Sequence, residues 1–248
     1  MPFDSLQCAD ISDVPINTFN LKANIKIIEE FYKNHILAHG AIPMTLGGDH
    51  TIAYPILKAQ RHKHGPVALV HVDAHADVGE SMFGEEVAHG TPFRRAYEDG
   101  CLVGDKVWQI GLRGTGYTPD EYNWSRERGF HVVQCDELWY KSPMPLMEKV
   151  RENIGNQPVH LSFDIDSLDP GFAPGTGTAE AAGLTPPQAV EIVRGMRGLN
   201  IVGCDMVEVS PPYDTSGTTA VLAANLLYEM LCVLPGVKHH NVIDPISP

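Results

Sequence analysis

Val67-Ala68-Leu69-Val70-His71-Val72-Asp73-Ala74-His75-Ala76-Asp77 is the stretch on which the reading of this 248-residue chain turns. Its opening run, Val67 to Val70, is apolar throughout, as in a strand buried on both faces of a parallel sheet. Asp73, His75 and Asp77 then follow at intervals of two. Side chains at i, i+2 and i+4 of an extended segment share a face. Three side chains of metal-ligand type are therefore expected to converge at the carboxyl end of one strand, where open α/β sheets keep their sites. Taken alone, the triplet is also compatible with an acidic strand end that is merely solvated.

Working outward, further strands are expected at 41–46, 106–112, 130–135, 159–163 and 201–207, with a weaker signal at 6–12. Helical periodicity marks 20–39, closed by Gly40, and helices are expected at 51–64, 93–99, 143–154, 186–198 and 217–233. Strands alternating with helices over short connections imply βαβ units. A three-layer α/β/α fold with a central parallel sheet follows, as a single domain over residues 1–248, with no repeat and no linker-like stretch.

Two more strand ends bear the same kind of chemistry. Gly47-Gly48-Asp49-His50 follows the 41–46 strand, and Ser162-Phe163-Asp164-Ile165-Asp166-Ser167-Leu168-Asp169-Pro170 ends the 159–163 strand. A lone strand-end histidine such as His50 is more often structural. Together with His75, Asp73, Asp77, Asp164 and Asp166, however, it completes an oxygen-rich set with imidazole support. Such a set suits a hard divalent ion, manganese among them, whereas structural zinc would draw on cysteine or a closed set of four ligands. Six candidates exceed what one catalytic ion needs, so two ions sharing carboxylates are expected.

These three motifs resemble the signatures of the ureohydrolase (arginase/agmatinase) family, and more closely its agmatinase/guanidinobutyrase branch, in a resemblance that runs from about residue 41 to 236. The resemblance implies an arginase-like fold, two Mn2+ ions per chain and hydrolysis of a guanidinium group to urea and an amine. It implies one ion held by His50, Asp73, Asp77 and Asp164, and a second by His75, Asp73, Asp164 and Asp166. It also matches His89, in His89-Gly90-Thr91-Pro92, to the family's proton-shuttling histidine and Glu208 to its guanidinium-binding carboxylate. A carboxylate suits that role because it meets the planar guanidinium with two parallel hydrogen bonds. Thr178 matches a hydroxyl near the substrate, and Asp166 or His89 protonates the leaving nitrogen. The substrate implied is agmatine or 4-guanidinobutyrate. Met82-Phe83 and the segment from Tyr117 to Phe130 resemble that branch, the latter most of all guanidinobutyrase. Arginine or another guanidino acid is an alternative substrate, and Arg94, Arg95 or Arg113 are the candidates to receive a substrate carboxylate such as that of 4-guanidinobutyrate.

Asp169, Asp214, His71, His131, His160 and the His239-His240 pair read as structural or surface residues. Two departures from the family pattern stand out: Ala179 replaces a usual proline, and the chain looks N-terminally short, apparently lacking the family's first strand. The competing expectation is thus a truncated, catalytically impaired metal-binding homologue. The family also implies a homo-oligomer, a trimer or hexamer, for which Val233, Leu234 and Val237 are the apolar candidates.

Bulk properties bound the partners. A formal net charge of −13 disfavours nucleic acid and anionic membrane surfaces. Five cysteines without regular spacing fit a reducing compartment, and no apolar run approaches the roughly 20 residues of a membrane span. A cytoplasmic location is expected, with a mitochondrial one open if an N-terminal segment is missing.

Overall fold

The apolar runs form six strands: β1 (Met44–Leu46), β2 (Val67–Val72), β3 (Leu102–Leu112), β4 (His131–Gln134), β5 (Val159–Asp164) and β6 (Ile201–Val207). They make one sheet in the order β1-β6-β5-β2-β3-β4, with every pair parallel. This computed structural model describes residues 2–116 and 120–239; Tyr117 and His240 lie outside them. β2 and β5 sit at the centre with every residue buried, the polar His71, His160 and Ser162 included.

Helices cover both faces. On one side α6 (Met144–Ile154), α7 (Pro186–Gly195) and α8 (Thr218–Val233) pack Met147, Ile192 and Leu226 against Val70, Leu161 and Met206. On the other, α3 (Ala53–His64), α4 (Pro92–Glu98) and α5 (Glu121–Glu127) pack Leu57, Phe93 and Trp124 with Leu69 and Val107. Outside α3 lies α2 (Leu21–Phe31), which starts with Asn20 accepting from the Ala23 amide at 3.0 Å. The chain ends that helical run at Gly40, whose φ of 74° a side chain would resist. The three-layer α/β/α reading holds.

Local expectations fail in four places. Residues 6–12 are not a strand: Asp10 accepts from the Ser12 amide at 2.8 Å, Ser12 takes a φ of 65°, and Ile11 is 52% exposed. That Asx-type turn competes with extension. The short helix α1 (Pro2–Ser5) instead sits against the other end of the described chain, with Ser5 Oγ accepting from the Lys238 amide at 2.9 Å. β1 therefore pairs with β6 alone among the described residues, and none of its three residues is buried. The helix α5 falls in a stretch with no strong sequence period. Finally, Val233 and Leu234 are buried in the chain's own core, so they offer no surface to a second copy. Among the described residues no helix is long and apolar enough to cross a membrane.

Leu161, fully buried in β5, tests the core. Leu161→Ala should lower stability by about 2–5 kcal/mol, read as a lower urea midpoint at unchanged slope.

Candidate metal centre and active site

The three motifs meet beyond the carboxyl ends of β1, β2 and β5, and one local device shapes all three. At each strand end an aspartate accepts from the amide two residues on: Asp49 from Thr51 at 2.9 Å, Asp73 from His75 at 2.6 Å and Asp164 from Asp166 at 2.8 Å. Such turns divert the chain out of the sheet. The strand containing the triplet accordingly stops at Val72, and Asp77 takes a left-handed φ of 51°. Asp73, His75 and Asp77 thus converge through a bent loop and not along one strand face. The bend separates them into two groups.

In the first group His50 Nδ1 lies 3.1 Å from Asp73 Oδ2, 3.0 Å from Asp77 Oδ2 and 3.3 Å from Asp164 Oδ2. In the second, His75 Nδ1 is 3.0 Å from Asp166 Oδ2 and 3.5 Å from Asp73 Oδ1. Asp73 spans the two with one oxygen in each, the geometry of a shared carboxylate. Asp164 faces the first group through its Oδ2, while its Oδ1 accepts from the Asp166 amide. The backbone amide of Ala74 fixes Asp166 Oδ1 at 3.1 Å, and Thr178 Oγ1 donates to its Oδ2 at 3.0 Å. Gly114 makes room for the second group, because a Cβ there would fall 2.3 Å from His75 Cδ2.

These residues fit a cation. Ser162 Oγ donates to Asp205 Oδ1 at 2.7 Å, so it must accept from His50 Nε2 at 2.8 Å. In a neutral imidazole with its proton on Nε2, Nδ1 is a bare lone pair. That buried atom has no hydrogen-bond partner, yet three carboxylate oxygens face it. Only a proton or a metal ion relieves that arrangement. Without metal a proton is favoured. Burial, the largest influence, lowers the His50 pKa, but the facing carboxylates of Asp164, Asp73 and Asp77 raise it well above the ordinary value. The carboxylates show the same crowding. Burial and the charge of Asp73 push Asp77 up to about 7. Burial with Asp166 and Asp73 raises Asp164, and burial with Asp73 raises Asp166. Asp73 alone is lowered: burial opposes its ionisation, but His71, His50 and His75 outweigh it.

Glu208 stands just past β6 at a φ of 62°, and its Oε1 accepts from the His50 amide at 2.8 Å. Its own amide donates to Gly48 O at 3.0 Å. Burial raises its pKa against the pull of that hydrogen bond. His89 is half-buried in a turn closed by Thr91, whose amide donates to Ala88 O at 3.1 Å while its hydroxyl accepts from the Ala88 amide at 2.9 Å. Pro92 then starts α4.

Several neighbours had no role in the sequence reading. His71 Nε2 donates to Asp73 Oδ2 at 2.7 Å, its tautomer set by Gln109, whose amide nitrogen lies 2.7 Å from Ala76 O and 3.3 Å from His71 Nδ1. Glu180 Oε1 stands 3.7 Å from His75 Nε2. None of the three candidate arginines reaches the site. Arg113 spends its guanidinium on six backbone carbonyls, of Gly111, Asp166, Ser167, Leu168, Glu180 and Ala181, tying the loop beneath the site together. Arg94 and Arg95 pair with Glu98. Asp169 accepts from the amides of Gly171 and Gly183, and Asp214 from those of Ser216, Gly217 and Thr219. His131 stacks on Trp108 at 3.9 Å.

A six-stranded parallel sheet with paired His/Asp groups past its carboxyl ends is an α/β arrangement able to hold divalent metal at that edge. The model of the arginase family matches residues 1–232, and the chain belongs to that family. It is 64% identical to a guanidinobutyrase of Pseudomonas aeruginosa, over 95% of this chain and 74% of that protein. It is 59% identical to a mitochondrial agmatinase of Gallus gallus, over 96% and 69%. Its fold superposes on proclavaminate amidino hydrolase from Streptomyces clavuligerus with a TM-score of 0.86 at 35% identity, covering 93% of this chain and 77% of that one.

The two groups predict distinct metal losses. Asp73→Ala should remove both ions and Asp77→Ala only one, checked as manganese per chain by elemental analysis of the folded variants.

Proposed function

We propose that this chain hydrolyses the guanidinium group of a linear guanidino acid, 4-guanidinobutyrate first among them, to urea and the corresponding amine. The reading is supported chiefly by Glu208, a half-buried carboxylate whose backbone lies in the left-handed region and which accepts from the backbone amide of His50, a member of the metal-type cluster. The 64% identity to a guanidinobutyrase supports the choice of substrate.

His50, Asp73, Asp77 and Asp164 would hold one Mn2+ ion, and His75, Asp73 and Asp166 the second, with Asp164 also assigned to it by the family motif. The ions, when present, supply Lewis-acid charge and bring the ionisation of water near neutral pH. The protein's own groups do the rest. Glu208 docks and orients the cationic guanidinium, which burial makes more favourable than it would be in water. Thr178 holds Asp166 Oδ2 by its hydroxyl and so limits how that carboxylate turns. Asp166 or His89 delivers the proton to the leaving nitrogen as general acid.

A second substrate, agmatine, is favoured by one observation. Glu180 lies beside His75, while the three candidate arginines are all committed elsewhere. An ammonium-tailed substrate suits such an entrance. We also propose a homo-oligomer, a trimer or hexamer, in which the exposed Trp139, Tyr140 and Phe172 around a surface cleft of about 320 Å³ are covered. Light scattering on the native chain tests it, and a monomer mass would overturn it.

Urea release in Mn2+ should be fastest from 4-guanidinobutyrate, slower from agmatine and absent from arginine. Glu208→Gln should lower kcat/KM by about 10- to 150-fold, the worth of a charged hydrogen bond of about 1.5–3 kcal/mol. No urea from either linear substrate, at full metal loading, would remove the activity from this chain.

A further inference from the structure

A row of polar side chains crosses the buried sheet. Gln109 on β3, His71 on β2, Ser162 on β5, Asp205 on β6 and Thr45 on β1 are cross-strand neighbours in register. The first four are fully buried. At the outer end Tyr32 OH hydrogen-bonds Thr45 Oγ1. Apolar residues would fill such a layer more simply, so the direction of each hydrogen bond bears on what the row does.

That direction can be traced. The amide nitrogen of Gln60, on α3, lies 3.5 Å from Val202 O and 2.9 Å from His160 Nδ1. An atom placed against a carbonyl oxygen is a donor, so His160 Nδ1 accepts and the ring proton resides on Nε2. His160 Nε2 then donates to Asp205 Oδ2 at 2.6 Å. The other oxygen of Asp205 accepts from Ser162 Oγ at 2.7 Å. Its single proton so committed, Ser162 can only accept from His50 Nε2, at 2.8 Å.

We infer that Gln60, His160 and Asp205 form a buried positioning relay which, through Ser162, keeps the His50 proton on Nε2 and its Nδ1 lone pair aimed at the three carboxylates. The inference rests on the metal reading of the site. The backbone makes space for the relay. A Cβ on Gly203 would lie 2.1 Å from Gln60 Nε2 and 3.0 Å from His160 Nδ1, so β6 lacks a side chain where the relay crosses it. Gln109, His71 and Asp73 repeat the same order of donors on the neighbouring strands. His71 thus holds Asp73 directly, and His160 acts on His50 through Asp205 and Ser162, each histidine with its tautomer set by a glutamine. Partners behind a metal ligand fix its orientation in this way, and their loss typically weakens metal binding 10- to 100-fold.

The experiment titrates the full chain with Mn2+ and reads free ion by electron paramagnetic resonance, beside the melting temperature of the metal-free protein. Asp205 accepts two hydrogen bonds, whereas asparagine accepts on one oxygen only. Asp205→Asn therefore strands either His160 or Ser162, and one orientation turns Ser162 into a donor toward His50. The expected result is one of two ions weakened by about 10- to 100-fold in a metal-free chain that still melts cooperatively. His160→Gln retains an N–H donor near the Nε2 position and should bind both ions almost as the native chain does. Ser162→Ala should weaken the same single ion, and decides the matter if Asp205→Asn does not fold. Native affinity for both ions in Asp205→Asn and Ser162→Ala overturns the relay. So does a loss in His160→Gln equal to that in Asp205→Asn, which would mean packing and not donor direction matters. A native chain that takes up no Mn2+ would overturn the metal reading itself and the relay with it.

Discussion

Four buried carboxylates share one small region beyond the strand ends, and the surrounding structure is arranged to tolerate them. Two unit charges 4 Å apart repel by about 4 kcal/mol even at an effective dielectric of 20. Several such pairs would rival the about 5–15 kcal/mol that keeps a domain folded. Within this chain the compensating groups are His50, His71 and His75 together with backbone amides; the nearest arginine, Arg113, is turned to carbonyl oxygens instead. That deficit of positive charge is the feature a divalent cation meets, and it accounts for part of the net charge of −13.

The carboxylates reach one another because the strands are parallel. Parallel pairing sends the carboxyl ends of β1, β2 and β5 to the same edge, although the motifs they bear are dozens of residues apart in the chain. At each end an aspartate caps the amide two residues on. One oxygen thereby shapes the turn, and at Asp73 and Asp164 the other oxygen faces His50. At Asp73 and Asp164 the residue type thus serves local geometry and the cluster at once, and at all three positions the longer side chain of Glu would close this turn less well.

Behind the carboxylates the sheet is not the apolar layer its strand composition suggests. Each buried polar group left unpaired would cost about 1–3 kcal/mol. Gln109 with His71 and Ser162 with Asp205 avoid part of that by pairing across strands, while Gln60 Oε1 and Gln109 Oε1 have no partner among the described residues. Phe93 packs on His71 at 4.1 Å and edge-on to His50 at 5.0 Å, so apolar contact and hydrogen bonding together limit how these rings turn. Rigidity at the site is therefore a property of the sheet interior as much as of the loops.

Much of this was legible in the chain. The unbroken run Val67 to Val70 announced a central parallel strand, and the alternation of such runs with helical periods announced the layers. The three Asp/His motifs marked the residues that meet. Those are short-range signals, written in composition and spacing. The sequence misled where local hydrogen bonding outcompeted extension, as at Asp10 and Ser12, and where a strand stopped before its motif did, as at Val72. It was silent on Asp205, Gln60, Gln109 and Glu180, because no spacing relates residues that become neighbours only across strands. Residue type determined which chemistry was possible. Only the packed sheet decided that Asp73 offers one oxygen to each group and that Arg113 serves backbone carbonyls, since contact direction across β2, β5 and β6 exists in three dimensions alone.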